Sequence, residues 1–177
     1  MRQGRRDGFR EFAAGRSGHL YRSACLLASG DTHLAEDLVQ ETLGRMYLLW
    51  GRISRIENPA AYAQTVLVRV FLTHQRRRSA GERPFGEFPG ADGPRGGAQP
   101  VAGGTDPALR LTLLEALGRL APKDRAVLVL RYWEDRSVEE TAEAMKVTSA
   151  AVRTRTSRAL SRLRGQLGGS LAEFAGH

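Results

Sequence analysis

The sequence holds a single cysteine, Cys25, which excludes an internal disulfide and every motif built on paired cysteines. Cys25 stands among apolar helical residues and reads as a small buried hydrophobe, with redox or metal chemistry the weaker alternative. The four histidines, His19, His33, His74 and His177, form no H-x-x-x-H pair and have no cysteine partner, so no metal site is expected. No apolar run reaches the roughly 18 residues of a membrane span. The opening MRQGRRDGF is charged and lacks the apolar core of a signal peptide, so a cytoplasmic chain without membrane insertion is expected. Convincing strands are missing, and with them any glycine-rich phosphate loop after a strand. Asp37 and Glu41 are paired carboxylates at i and i+4, but an exposed helical pair offers no enclosed site to tune two pKa values apart. Neither catalysis nor a cofactor is expected.

What the chain has is positive charge on a helical pattern. A composition of 41% hydrophobic and 26% charged residues is globular, and 177 residues allow one domain or two small ones. The net charge of +8 calls for a polyanionic partner, either nucleic acid or an anionic membrane surface.

The stretch SVEETAEAMKVTSAAVRTRTSRALSRLR, from Ser137 to Arg164, carries the sharpest signal. Ser137 and Glu140 have the S-x-x-E spacing of a capping box, and Val138, Ala142 and Met145 follow at helical spacing. Lys146, Val147 and Thr148 form a break, after which Thr148 or Ser149 can cap a second helix with Val152, Thr156, Ala159 and Leu163 on one stripe. At 100° per residue the opposite side presents Arg153, Thr154, Ser157 and Arg158. No acidic residue occurs from Lys146 through Arg164, although Glu139, Glu140 and Glu143 crowd the preceding helix. This pattern fits a helix-turn-helix whose second helix enters the major groove while Ser137 and the first helix brace the backbone. The plainer reading is a helical hairpin with a solvated basic face. Lys146 stands where such turns often carry glycine, and a left-handed backbone there would cost about 1 kcal/mol.

Earlier in the chain, Asp7 precedes a helix with Phe9, Phe12, Ala13, Leu20, Ala24 and Leu27 on its apolar side, ending near Ser29 and Gly30. Asp31 or Thr32 begins a second helix whose stripe is Leu34, Leu38, Thr42, Met46 and Leu49. Asp37, Gln40 and Glu41 make a polar, acidic face, while Val39, Leu43, Tyr47 and Trp50 widen the apolar band. A protein-docking surface explains both features; extra packing within the domain explains the apolar half equally well. A loop from Gly51 leads to Pro59, which suits the first turn of a third helix with Tyr62, Val66, Val70 and Thr73 along one side. That helix ends in Arg76, Arg77 and Arg78, more cation than one helix terminus needs, which suggests a phosphate-facing strip. From Gly81 to Pro107 the composition turns to proline and glycine. Such a linker has a root-mean-square span of about 30 Å, so the flanking units need not touch. Asp106 and Pro107 start a helix with Leu109, Leu113, Leu114 and Leu117, and Pro122 opens another with Val127, Leu128, Leu130 and Trp133. The fold class expected is all-α: two small helical domains joined by a flexible linker, at residues 1–80, 81–107 and 108–177.

The segments AEDLVQETLGRMYLLW from Ala35, NPAAYAQTVLVRVFLTHQRRR from Asn58, and LAPKDRAVLVLRYWEDRSVEETAEAMKVTSAAVRTRTSRALSRLR from Leu120 occur in a specific order. In that order they resemble extracytoplasmic-function sigma factors of the sigma-70 superfamily, in an actinobacterial SigE-like branch. The resemblance covers nearly the whole chain outside the linker and the extreme termini. It implies a factor that binds core RNA polymerase and directs promoter-specific initiation. It assigns Asp37, Gln40 and Glu41 to docking on the coiled coil of the largest polymerase subunit. Arg52, Arg55 and Asn58 in the loop, with Arg69, Thr73, Arg76, Arg77 and Arg78 on the helix, fall to melting and reading the minus-10 element. Arg153, Thr154, Ser157 and Arg158 fall to the minus-35 duplex, with Arg131 and Ser137 on its backbone, and the remaining apolar surface to the polymerase flap. Promoter DNA and core polymerase are the partners implied; an anti-sigma factor is a further partner that the sequence leaves open. Arg69 stands where the family commonly has Asn and His74 where an aromatic is usual, so an altered minus-10 preference is expected. An autonomous helix-turn-helix regulator, with the first domain for dimerisation or sensing, is the alternative.

Overall fold

The computed structural model describes residues 2–81 and 106–175, with side chains within 3–81 and 106–168. All regular structure among the described residues is helical: α1 (Arg2–Leu27), α2 (Thr32–Ile53), α3 (Pro59–Ser79), α4 (Pro107–Gly118), α5 (Pro122–Leu128), α6 (Val138–Met145) and α7 (Ser149–Ala175). A π-helical turn, Val129–Trp133, continues α5. The glycine- and proline-rich stretch expected to be a linker, with Phe85 and Phe88, lies outside the described residues over 82–105.

Local chemistry sets most helix starts. The carboxylate of Asp31 accepts from the Leu34 amide at 3.0 Å, the side-chain oxygen of Asn58 from Ala61 at 2.9 Å, and Asp106 from Ala108 at 3.0 Å. Proline occupies the first turn of α3, α4 and α5, where its missing N–H removes a donor that would have no helical partner. Gly30, at φ +89°, closes α1, and its amide reaches back to the Cys25 carbonyl at 2.9 Å. Cys25 is buried, as its apolar context implies.

Two boundaries differ from the sequence expectation. α1 begins at Arg2, ahead of Asp7, because tertiary contacts hold the extra turn. Arg5 donates to the Leu48 carbonyl, while the rings of Phe9 and Phe12 lie 5.5 Å and 4.9 Å from Trp50. α2 runs on past Gly51 to Ile53, since Ile53 is itself buried.

The larger difference concerns α3. Read from sequence it has one apolar side, through Tyr62, Val66, Val70 and Thr73. In the structure Leu67, Val68 and Phe71 are buried as well, whereas Tyr62 and Thr73 are only half-buried. A helix apolar nearly all round belongs at a centre. α1 and α2 cover one side of α3, and α5 and α6 cover another. One buried cluster therefore runs from Leu20, Leu38, Met46 and Phe71 to Val127, Leu130, Ala142 and Val152. A smaller cluster of Leu117, Leu120, Leu128 and Ala159 holds α4 and α5 to α7. The two helical units, free to stand apart on the strength of their connector alone, are packed together.

A shared core predicts shared unfolding. Phe71→Ala, at a side chain with 0% exposure, should lower the unfolding free energy by about 3–5 kcal/mol. Urea titration followed by circular dichroism should give one cooperative transition shifted to lower denaturant; two separated transitions would show independent cores.

Candidate nucleic-acid interface

The helix-turn-helix is built as its residue spacing predicts. The Ser137 hydroxyl accepts from the Glu140 amide at 3.0 Å, and the Glu140 carboxylate accepts from the Ser137 amide at 2.8 Å. The hydrogen bond from the Ser137 backbone is the main cause holding the Glu140 carboxyl below its ordinary pKa. α6 stops at Lys146, whose φ of 56° and ψ of 46° place a non-glycine residue in the left-handed region. The Val147 amide then bonds the Ala142 carbonyl at 3.0 Å, closing the turn. Thr148, the first of the two candidate caps, accepts from the Ala151 amide at 3.1 Å and starts α7.

α7 is fixed in rotation by opposite faces. Val152 and Ala159 are fully buried, while Thr156 and Leu163 on the same stripe are half-buried. Beside them Arg155 donates to the Asp124 carboxylate at 3.0 Å, and Arg162 lies 4.0 Å from its other oxygen. Asp124 is only 5% exposed, so it ties α7 to α5 from inside the unit. This turns Arg153, Thr154, Ser157 and Arg158 outward together, all exposed, lining one open surface with Ser161 and Arg162. Arg153 meets Glu139 at 3.4 Å across the turn, but both side chains are solvated and the pair is weak. Arg131 lies elsewhere: it is half-buried, donates to the Arg136 carbonyl, and sits 6.0 Å from the Tyr132 ring centroid. Asp124 was not among the residues singled out from sequence, because an acid inside a basic module has no local signature.

The second cationic group is divided. Arg52 and Arg55 are exposed near the end of α2, and the side-chain oxygen of Asn58 caps α3. Arg76, Arg77 and Arg78 are exposed at the end of α3, with Arg76 donating to Thr73 at 3.2 Å. Arg69 points away from them: its Nε and Nη2 donate to the carbonyls of Ala144 at 2.9 Å and Glu143 at 3.2 Å, at the end of α6. On α2, Asp37, Gln40 and Glu41 share an exposed face, and Glu41 is paired with Arg45 at 2.6 Å. The broad apolar band there splits in two. Val39 and Trp50 are buried within the fold, whereas Tyr47, Leu48 and Leu49 are exposed, Leu48 by 74%.

Among the described residues no group of histidine, cysteine, aspartate or glutamate could hold a metal ion, and no helix is long and apolar enough to cross a membrane. Among the described residues the architecture is that of an all-helical protein with a helix-turn-helix whose second helix turns a basic face outward, the class of fold that DNA-binding proteins use. Residues 16–81 match the family description Sigma-70 region 2, and residues 110–163 match Sigma-70, region 4. The chain is 36% identical over 160 residues to the RNA polymerase sigma-E factor of Streptomyces coelicolor, covering 90% of this chain and 85% of that protein. It is 25% identical over 174 residues to the ECF RNA polymerase sigma factor SigW of Bacillus subtilis, covering 94% and 92%. Its fold is similar to that of the sigma factor RpoE from Bartonella quintana, solved as a complex with the anti-sigma factor NepR. That match has a TM-score of 0.65 at 23% identity and covers 91% of this chain and 97% of the other. The chain belongs to the sigma-70 family of RNA polymerase sigma factors, which direct promoter recognition. The reading as a stand-alone regulator gives way, because its first domain is a region 2 unit.

The capping box makes the turn sensitive to acid. Glu140 has a depressed folded pKa, so its stabilisation is present above the unfolded carboxylate value of about 4.3 and is lost as pH falls through the folded value. Between about pH 6 and about pH 3, unfolding midpoints should fall less in Glu140→Gln than in the wild type. Equal falls would show that the carboxylate contributes nothing.

Proposed function

We propose that the chain binds core RNA polymerase through α2 and reads a promoter in two places, with residues 1–80 serving the minus-10 element, 81–107 connecting, and 108–177 serving the minus-35 element. The observation that carries this reading is the outward set Arg153, Thr154, Ser157 and Arg158 on a helix held in rotation by Asp124. Guanidinium and hydroxyl groups at that spacing suit guanine edges and phosphates in a major groove. Ser137, at the start of α6, would brace the backbone, and Arg131, whose Nη1 donates to the Arg136 carbonyl, would meet a phosphate. Arg52, Arg55, Asn58, Thr73 and the arginines at 76–78 would guide the melted strand, whose flipped bases need a cationic track.

On the polymerase side, Asp37, Gln40 and Glu41 supply a polar edge beside the exposed Tyr47, Leu48 and Leu49. Polar groups rimming an apolar patch are the anatomy of a protein interface and suit the coiled coil of the largest subunit. Exposed apolar residues of the second unit, Tyr132 among them, would meet the flap. Catalysis belongs to the polymerase; the factor itself works in the cytoplasm as a non-enzymatic subunit. An anti-sigma factor, of the kind bound to the RpoE relative, would act by covering these same surfaces.

Reconstitution with core polymerase tests the assignment. Arg153→Ala should weaken minus-35 readout by about 1–3 kcal/mol, measured as the promoter-concentration dependence of transcription in vitro. Unchanged promoter use would remove Arg153 from the reading set. Asp37→Arg should reduce co-elution with core polymerase while circular dichroism stays that of the wild type; normal assembly would place the docking face elsewhere.

A further inference from the structure

The two oxygens of Asp124 meet two arginines of α7 on unequal terms. Asp124 stands in the first turn of α5, where the helix dipole favours a carboxylate, just ahead of the buried run 125–130. Arg125 anchors that turn by donating to the carbonyls of Leu27, Gly118 and Leu120. The carboxylate is thus fixed in place from below. Its Oδ1 accepts from Arg155 Nη1 at 3.0 Å, whereas Arg162 Nη1 lies 4.0 Å from Oδ2, beyond hydrogen-bond distance. The Arg155 side chain is 30% exposed and that of Arg162 56%.

Residues 155 and 162 are two turns apart and differ by roughly 20° around the helix axis, so both stand on the edge of α7 that carries Arg158. Their chemistry is the same and their rotation nearly so, yet only Arg162 joins Arg153, Thr154, Ser157, Arg158 and Ser161 in lining the open face. Asp124 makes the difference. For Arg155 to turn toward a phosphate it would have to leave a buried carboxylate without a partner, a larger loss than one phosphate contact returns. The pair of Arg153 with Glu139 has no such hold, because both side chains are solvated.

Phosphate contacts strengthen binding to every sequence alike, and only contacts to base edges discriminate. We propose that Asp124 is a positioning residue that sets the sequence discrimination of α7: it withholds Arg155 from the DNA backbone, so that the helix meets a duplex through the face that reads bases. The proposal rests on the assignment of α7 to duplex DNA made above. Without the carboxylate charge, Arg155 turns out along its edge and adds a phosphate contact on any sequence. At the same time α7 loses the tie that fixes its rotation, so preferred sites gain less than random ones.

The test uses the full-length chain and a duplex pool of randomised sequence, with affinity followed by fluorescence anisotropy between about 50 and 200 mM salt. Asp124→Asn keeps the shape and an acceptor but removes the charge. It should bind the pool about tenfold more tightly at about 0.1 M salt, with the slope of log affinity against log salt steeper by about 0.9. Sequencing the retained duplexes should show a weaker consensus than the wild type selects. Arg155→Gln should leave pool affinity and slope at the wild-type values although it removes a cation, and combining it with Asp124→Asn should return both to wild type. A merely structural role for Asp124 would weaken all binding without steepening the slope.

A wild-type slope in Asp124→Asn, an undiminished consensus, or a slope shallower by about 0.9 in Arg155→Gln overturns the proposal. Should Asp124→Asn fail to fold, the Arg155→Gln slope decides alone. Arg158→Gln separates the two levels of inference, since it should weaken pool binding and flatten the slope. If it does not, α7 is not the duplex-facing helix and the reading above falls together with the proposal; if it does while Asp124→Asn keeps the wild-type slope, only the role of Asp124 falls.

Discussion

α3 cannot be satisfied by its own domain. Val66 and Val68 lie on opposite sides of one helix with Leu67 and Phe71 between them, all buried, and three helices in a bundle leave part of such a helix uncovered. Covering the remainder with α5 and α6 removes that apolar area from water, at roughly 25 cal/mol per Å². The arrangement of the two units follows from this requirement. Polar groups caught in the joint are then paired by long cations: Arg125 with the Leu27 carbonyl, Arg136 with α3, and Arg69 with α6. Burial pulls the pKa values of Arg125 and Arg136 down from their ordinary range, a mark of how far each guanidinium has left solvent.

Charge is sorted by surface in the second unit. Glu139, Glu140 and Glu143 sit on α6 and Asp124 is turned inward, while the described part of α7 carries arginines and hydroxyls to the outside. Asp124 shows how a buried acid can serve a basic face: by engaging Arg155 from within, it sets which side of α7 meets solvent. The first unit separates functions along its helices in a similar way. α2 combines an acidic edge with an exposed apolar end, and α3 gathers its cations at the last turn.

Much of the fold was legible. The caps at Asp31, Asp106, Ser137 and Thr148, and the prolines at 59, 107 and 122, act within a turn of where they stand, so sequence reading finds them, whereas the cap at Asn58 was read only as loop. Lys146 in place of glycine counted against the turn in the sequence, yet the turn forms with Lys146 in the left-handed region. The exposed basic face of α7 followed from helical periodicity alone. Less legible was the apolar width of α2, where Trp50 and Val39 turned out to serve the interior while Leu48, outside the expected stripe, is the most exposed large hydrophobic residue described. Periodicity ranks the faces of a helix, but it does not count the neighbours available to cover them.

The sequence by itself determined the helices, their caps, the basic and acidic faces and the family, because each rests on residues close together in the chain. Only the tertiary structure decided that α1 gains a turn from Arg5 and the Trp50 cluster, that a π-helical turn follows α5, and that Arg69 and Arg136 cross between units. Those outcomes join positions up to 75 residues apart, and at such separations the partner of a side chain is set by which surfaces must be buried together.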